Sequence, residues 1–233
     1  MKNVFVYDIE TLPNYFSAVF RRYEKENEED FIFQIGFSHN DIDELCRFLA
    51  NDVQGLIGYN CQNFDWPIID WIFQNKSEFI RDTPEQIARA IRQKAQKVID
   101  SEYSQVYEWI IQRDVYRLWH FDNKARSTSL KWLQFAIGWH DLNDFGDLHR
   151  DIEENETSNV LDYNLNDVGS TKAFYWEKGT QDKLNFRRGF GKKYDLNIIN
   201  DPDAKIGEKI IIKMIENETG FNRNMIKNQI PET

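Results

Sequence analysis

The chain has 233 residues, enough for a sizeable core in one large domain or two small ones. Hydrophobic residues make up 41% and aromatics 15%, which excludes a disordered chain and points to a bulky aromatic interior. The formal charge of −10 argues against general nucleic-acid coating, and two cysteines, Cys46 and Cys61, support neither a disulfide framework nor a zinc cluster but suit a reducing cytosol.

The chain opens on an apolar strand. No signal peptide, transit peptide or apolar run of about 18 residues is visible, so a soluble, non-exported protein with no membrane partner is expected. The strand Val4-Phe5-Val6-Tyr7-Asp8-Ile9-Glu10-Thr11 ends on two acids two residues apart. The period of two aims both to one side, where like charges repel unless a cation lies between them. Mg²⁺ or Mn²⁺ suits oxygen-only ligands. With 39 acidic residues, roughly six acid-x-acid triplets arise by chance, so this one alone also reads as a solvated strand end.

Strands are expected at 14–22 and 31–38, joined by an acidic hairpin loop at 24–30. A helix follows at 41–51, then a short buried strand Gly55–Tyr59, parallel to the first, and a helix at 64–75. Residues 84–111 read as helical, and Arg89, Arg92, Lys94 and Lys97 there are a solvated face in preference to a nucleic-acid contact. A strand is expected at 113–118, a polar loop at 120–128, a short helix at 129–138 with a Ser cap and a Gly stop, a polar loop through 139–156, and a helix from Thr157 to Trp176. The rest is helical, including 203–218. Residues 183–193, with Lys183, Arg187, Arg188, Lys192 and Lys193, hold no acid and are the one clearly basic window. This order, three strands, then helices alternating with strands, describes an α/β chain with a mixed central sheet flanked by helices.

Two further acidic positions matter. Asp65 closes Gly58-Tyr59-Asn60-Cys61-Gln62-Asn63-Phe64-Asp65 at a strand-to-helix junction, where alone it reads as a helix-capping acid and Asn60 as a turn residue. Tyr163 and Asp167 are four apart on a helix and share a face. As a set, four carboxylates can hold two divalent ions about 4 Å apart, and a phenol can orient an attacking water.

These three motifs in this order resemble the DEDDy 3′–5′ exonucleases, specifically the proofreading exonuclease domain of phage-type family B DNA polymerases. Tyr7-Asp8-Ile9-Glu10-Thr11 is similar to the first exonuclease motif, Gly58 to Asp65 to the second, and Tyr163-Asn164-Leu165-Asn166-Asp167-Val168 to the third. The intervals of 57 residues from Asp8 to Asp65 and 102 from Asp65 to Asp167 suit the family. The resemblance covers residues 1–178, the expected exonuclease domain, and leaves 179–233 as a helical C-terminal extension. It implies an RNase H-like fold, Asp8, Glu10, Asp65 and Asp167 as ligands of two divalent cations, Mg²⁺ or Mn²⁺, and Tyr163 as the residue that positions water. It also implies a contact of Asn60 with the terminal nucleotides, and of Thr11 and Leu12 with the 3′-terminal base, Leu12 as an apolar wedge. Phe64 is a DNA-stacking candidate, though core packing is the preferred reading, and Asp114 is read as structural. His120, His140 and His149 have no assigned role.

The activity implied is metal-dependent 3′–5′ hydrolysis of single-stranded or frayed DNA 3′ ends to nucleoside 5′-monophosphates, in a phage or bacterial host cytosol, with a DNA polymerase partner in cis or in trans. No polymerase activity is expected. The palm motifs D-x-x-S-L-Y-P and D-T-D are absent, and Asp201-Pro202-Asp203 reads as a turn and cap. The alternatives are a catalytically silent DNA- or polymerase-binding module of the same fold, or an exoribonuclease. Because the body is acidic, the substrate path is expected to be narrow, with Arg187, Arg188 and the Arg89–Lys97 helix as candidate DNA contacts.

Overall fold

A computed structural model describes residues 3–101, 107–119, 128–142, 146 and 149–227. The alternation within the first strand, β1 (Val4–Thr11), decides the layering. Phe5, Tyr7 and Ile9 sink into one core with Phe16, Ala18 and Phe20 of β2 (Phe16–Arg22). The residues between them, Asp8 and Glu10 included, point to the other face of the sheet. Three helices cover the first face: α1 (Ile42–Asn51), α2 (Asp65–Asn75) and α3 (Pro84–Asp100), whose buried Ile, Leu, Phe and Trp side chains join the same core. Phe48 of α1 lies 5.0–5.2 Å between ring centroids from Phe5, Phe20, Phe31 and Phe33, which accounts for much of the aromatic content. Edge and offset ring pairs of this kind add about 0.5–1.5 kcal/mol each beyond area burial.

The sheet is mixed, with six strands in the order β4-β3-β2-β1-β5-β6. β1, β2, β3 (Asp30–Gly36) and β4 (His39–Asn40) form an antiparallel meander. β5 (Gly55–Gly58) and β6 (Ile111–Asp114) run parallel to β1. The two-residue β4 was not expected. It follows a reversal at Gly36 and Phe37, where Gly36 has φ +134° and a Cβ would stand 2.6 Å from the Asn14 carbonyl. α6 (Thr157–Trp176) packs across β1 and β2, on the face that Asp8 and Glu10 share.

Two expectations are corrected. The helix expected through 111 ends at Asp100, and the strand expected at 113–118 is β6 at Ile111–Asp114 followed by α4 (Val115–Trp119). The partner sets the limit: β5 is four residues long, so the ladder ends where Asp114 meets Gly58 and the backbone then coils to satisfy its own groups. Ser129 caps α5 (Leu130–Ala136) by accepting from the Trp132 amide at 3.2 Å. The loop expected at 120–128 lies outside the described residues except for Thr128, as does His120.

The chain divides into two units. The first comprises the described residues of 1–115 and 128–176, and the second those of 116–127 and 177–233. The division therefore falls at Trp176/Glu177, and Tyr116–Trp119 belongs with the C-terminal helices. These are α7 (Lys178–Tyr194), α8 (Asp203–Thr219) and α9 (Arg223–Lys227). Among the described residues no helix is long and apolar enough to cross a membrane.

Candidate metal centre

β1 pairs with β5 only through Val4–Val6, so its last residues run beyond the end of β5. The chain leaving β5 turns at once and enters α2 at Asp65. That turn is tightly built. Asn60 sits in the left-handed region at φ 58°, which Asn tolerates better than most residues. Asp114, fully buried, accepts from the backbone amides of Asn60 at 2.9 Å and Gln62 at 3.2 Å. Asp114 is thus a structural acid. A Cβ on Gly58 would stand 2.5 Å from the Cβ of Cys61, so the start of the turn needs glycine. The turn sets Asp65 against β1, with its carboxylate near the Ile9 amide.

Asp167 arrives from the opposite layer. α6 carries an unusual run of buried polar residues, including Asn164, Asp167, Ser170 and Thr171. Asn164 donates to the Ser17 hydroxyl at 2.9 Å, which pins α6 to β2. One carboxylate oxygen from each of Asp8, Glu10 and Asp167 then lies within 4.8 Å of the others, in a group able to hold a metal ion. Asp65 is outside that triad, but its charge is the largest anionic influence on Asp8.

Electrostatics confirms the crowding. The Asp8 carboxyl is held well above the usual range, first by loss of hydration and then by Asp65, Glu10 and Asp167. Glu10 is raised by burial, Asp167 and Asp65, with Lys131 and Arg92 opposing. Burial and Asp114 push Asp65 up to about 7, against the lowering influence of its own and the Ile9 backbone amides. Asp167 is raised by burial, against the hydrogen bond from Gln134, the charge of Lys131 and the nearby Tyr163 hydroxyl. Tyr163 is raised by burial and by Asp167, Glu10 and Asp8, so its phenol stays protonated beside them. An oxygen-only, anion-rich pocket of this kind favours a hard divalent cation, because a cation would lower every one of these proton affinities.

The chain matches no protein-family model, no curated protein and no solved structure.

Three neighbours were not singled out for the site from sequence. Gln134 on α5, fully buried, donates to Asp167 at 2.8 Å and to the Ser170 hydroxyl at 2.9 Å. Lys131, one turn earlier, places its ammonium 4.6 Å from the Tyr163 ring centroid. Arg92 of α3 donates to the Thr11 carbonyl at 2.9 Å and approaches His149 Nδ1 at 2.7 Å. The one available signal was the spacing of Lys131 and Gln134, which shares a face of a short helix.

The candidate DNA contacts fare unevenly. Leu12 is fully buried with Tyr15, Ile152 and Val160, so it is a core residue here and no exposed wedge. Thr11 is buried as well, with its carbonyl held by Arg92. Phe64 packs against the core of the first unit. The Asn60 side chain accepts from Asn63 at 2.8 Å within the turn. Arg187, only 1% exposed, donates to the Ile199 carbonyl at 2.9 Å and to Asp203 at 2.8 Å, so its guanidinium works inside the second unit and is not offered to DNA. Arg188 is exposed. Arg89 pairs with Asp151 at 2.8 Å on the surface.

Proposed function

We propose that the first unit is an RNase H-like nuclease domain that removes nucleotides from DNA 3′ ends with the help of two divalent cations, Mg²⁺ or Mn²⁺. The observation that carries this reading is the meeting of Asp8, Glu10 and Asp167, from a strand and a helix far apart in sequence, within 4.8 Å. The sheet order, with β1 central between an antiparallel meander and two parallel strands, suits the same fold. Bound cations would neutralise charge at a scissile phosphate and promote attack by water.

The residues divide the remaining work. Asp8, Glu10, Asp65 and Asp167 would hold the cations. Tyr163, its hydroxyl beside Asp167, would position the attacking water in line. Gln134 fixes the orientation of Asp167. Lys131 and Arg92 offset part of the negative charge and so limit repulsion of an incoming phosphate. The 3′–5′ direction, the preference for DNA and a polymerase partner rest on the resemblance of the three motifs.

The test is a 5′-labelled single-stranded DNA incubated with Mg²⁺ or Mn²⁺. A ladder shortening from the 3′ end is expected, abolished by chelator and reduced about 10²–10³-fold by Asp8→Ala, the scale on which lost charge stabilisation is felt. Shortening from the 5′ end, or full activity in Asp8→Ala, would overturn the reading. The same assay with single-stranded RNA separates exodeoxyribonuclease from exoribonuclease.

A further inference from the structure

α7 of the second unit combines two features that its fold does not need. The first is charge. Its 17 residues hold six basic side chains and one acid, Asp182, in a chain whose net charge is −10. Arg187 and Lys183 are used internally, both at Asp203, but Lys178, Arg188, Lys192 and Lys193 are exposed. The second is a column of rings. Phe186, Phe190 and Tyr194 recur every four residues and line one flank of the helix. The Phe186 and Phe190 centroids lie 4.5 Å apart, and those of Phe190 and Tyr194 lie 6.0 Å apart with planes 25° from parallel. Phe186, at the open end of the column, is 53% exposed. The ammonium of Lys193 lies 4.9 Å from the Tyr194 centroid and closes the other end.

The buried side of α7 is made by Thr180, Leu184 and Arg187, and Phe186 is not part of it. Other large hydrophobic side chains are exposed too, and what sets Phe186 apart is the ring column it ends and the exposed cations beside it. A half-exposed ring at the end of an aromatic column, flanked by cations, matches a flexible polyanion that carries flat bases.

We infer that this flank of α7 is a binding platform for single-stranded nucleic acid, with Phe186 stacking on a base and Lys192, Lys193 and Arg188 holding the backbone phosphates. The choice of nucleic acid as occupant draws on the nuclease reading of the first unit, whereas the residues of the surface itself all belong to the second unit. Its binding needs no divalent cation. It also replaces the expected contact at Arg187 with residues whose side chains are accessible.

The experiment uses the full chain carrying Asp8→Ala, in chelator, so that neither cleavage nor metal contributes. Binding of a fluorescein-labelled oligo-dT is followed by anisotropy. Phe186→Ala is expected to weaken binding roughly tenfold, as loss of one base–aromatic stack does. Phe186→Trp should retain binding, and Phe186→Leu, which keeps apolar bulk without a ring, should lose it as Ala does. Lys192→Ala with Lys193→Ala should flatten the dependence of log K on log salt by about 1.4. Unchanged affinity in Phe186→Ala or Phe186→Leu would overturn the inference. So would binding to anionic phospholipid vesicles in place of DNA, or concentration-dependent self-association that Phe186→Ala abolishes. A wild-type chain that binds oligo-dT through Phe186 yet never cleaves it would refute the nuclease reading and leave the platform standing. Cleavage with no effect of Phe186→Ala on binding would do the reverse.

Discussion

Replacing Asp65 by Asn should stabilise the metal-free protein at neutral and alkaline pH. Asp65 is buried, and its carboxyl is pushed from an ordinary 3.8 up to about 7. The native state therefore holds this proton more tightly than the unfolded chain does. Between those two values stability falls as pH rises, and the loss is complete above about pH 7. A rise from 3.8 to about 7 corresponds to on the order of 4 kcal/mol, of which about 3 kcal/mol falls between pH 5 and 8. At about 2–4 °C per kcal/mol, that is a fall in Tm of roughly 6–12 °C. Asp8, Glu10 and Asp167 are raised too and add to the slope in the same direction. The lowered carboxyls of Asp151, Glu156 and Asp203 act with the opposite sign, but only below their ordinary range, outside this window. Asn is close to Asp in size and carries no charge. Calorimetry in chelator at pH 5, 6, 7 and 8 should show a falling Tm for the wild type, a shallower fall for Asp65→Asn, and the largest gap at pH 8. Adding Mn²⁺ at pH 8 should raise the wild-type Tm, since a ligand that binds only the native state stabilises it. A wild-type Tm that stays flat from pH 5 to 8, or an Asn variant no more stable than wild type at pH 8, would refute the claim of converging buried charge.

Tyr163→Phe should lower exonuclease turnover about 10²-fold while leaving oligo-dT affinity in chelator unchanged, which separates positioning of water from binding. Arg187→Ala should destabilise the second unit by about 2–4 kcal/mol, because Asp203 and the Ile199 carbonyl lose their donor, while Arg188→Ala should shift denaturant midpoints by less than about 0.5 kcal/mol. Gly58→Ala should cost about 1–3 kcal/mol in urea unfolding, since the added methyl meets Cys61 and Tyr7 at the base of the turn. Binding of single-stranded DNA without metal should be weak and fall steeply with salt in a titration from low to physiological ionic strength; a salt-independent nanomolar affinity would contradict an acidic body with a narrow basic contact.

Much of the first unit was legible in its sequence because the relevant rules are local. A period of two places Asp8 and Glu10 on one side of β1 and Tyr7 and Ile9 on the other, whatever surrounds them. A period of 3.6 sets Tyr163 and Asp167 on one face of α6 in the same way. The residues that pattern alone misplaced are those whose role depends on a distant partner. Leu12 follows the first motif and is buried only because Ile152 and Val160 close over it. Arg187 belongs to a basic window in sequence, but Asp203 and Ile199 draw its guanidinium inward. β6 is short because β5 is short. Lys131 and Gln134 enter the site only because α5 lies against α6. The backbone period thus decides which way a side chain points from the chain alone. Packing between segments far apart in sequence decides what it meets there, and so whether four scattered carboxylates are ordinary surface charges or parts of one pocket.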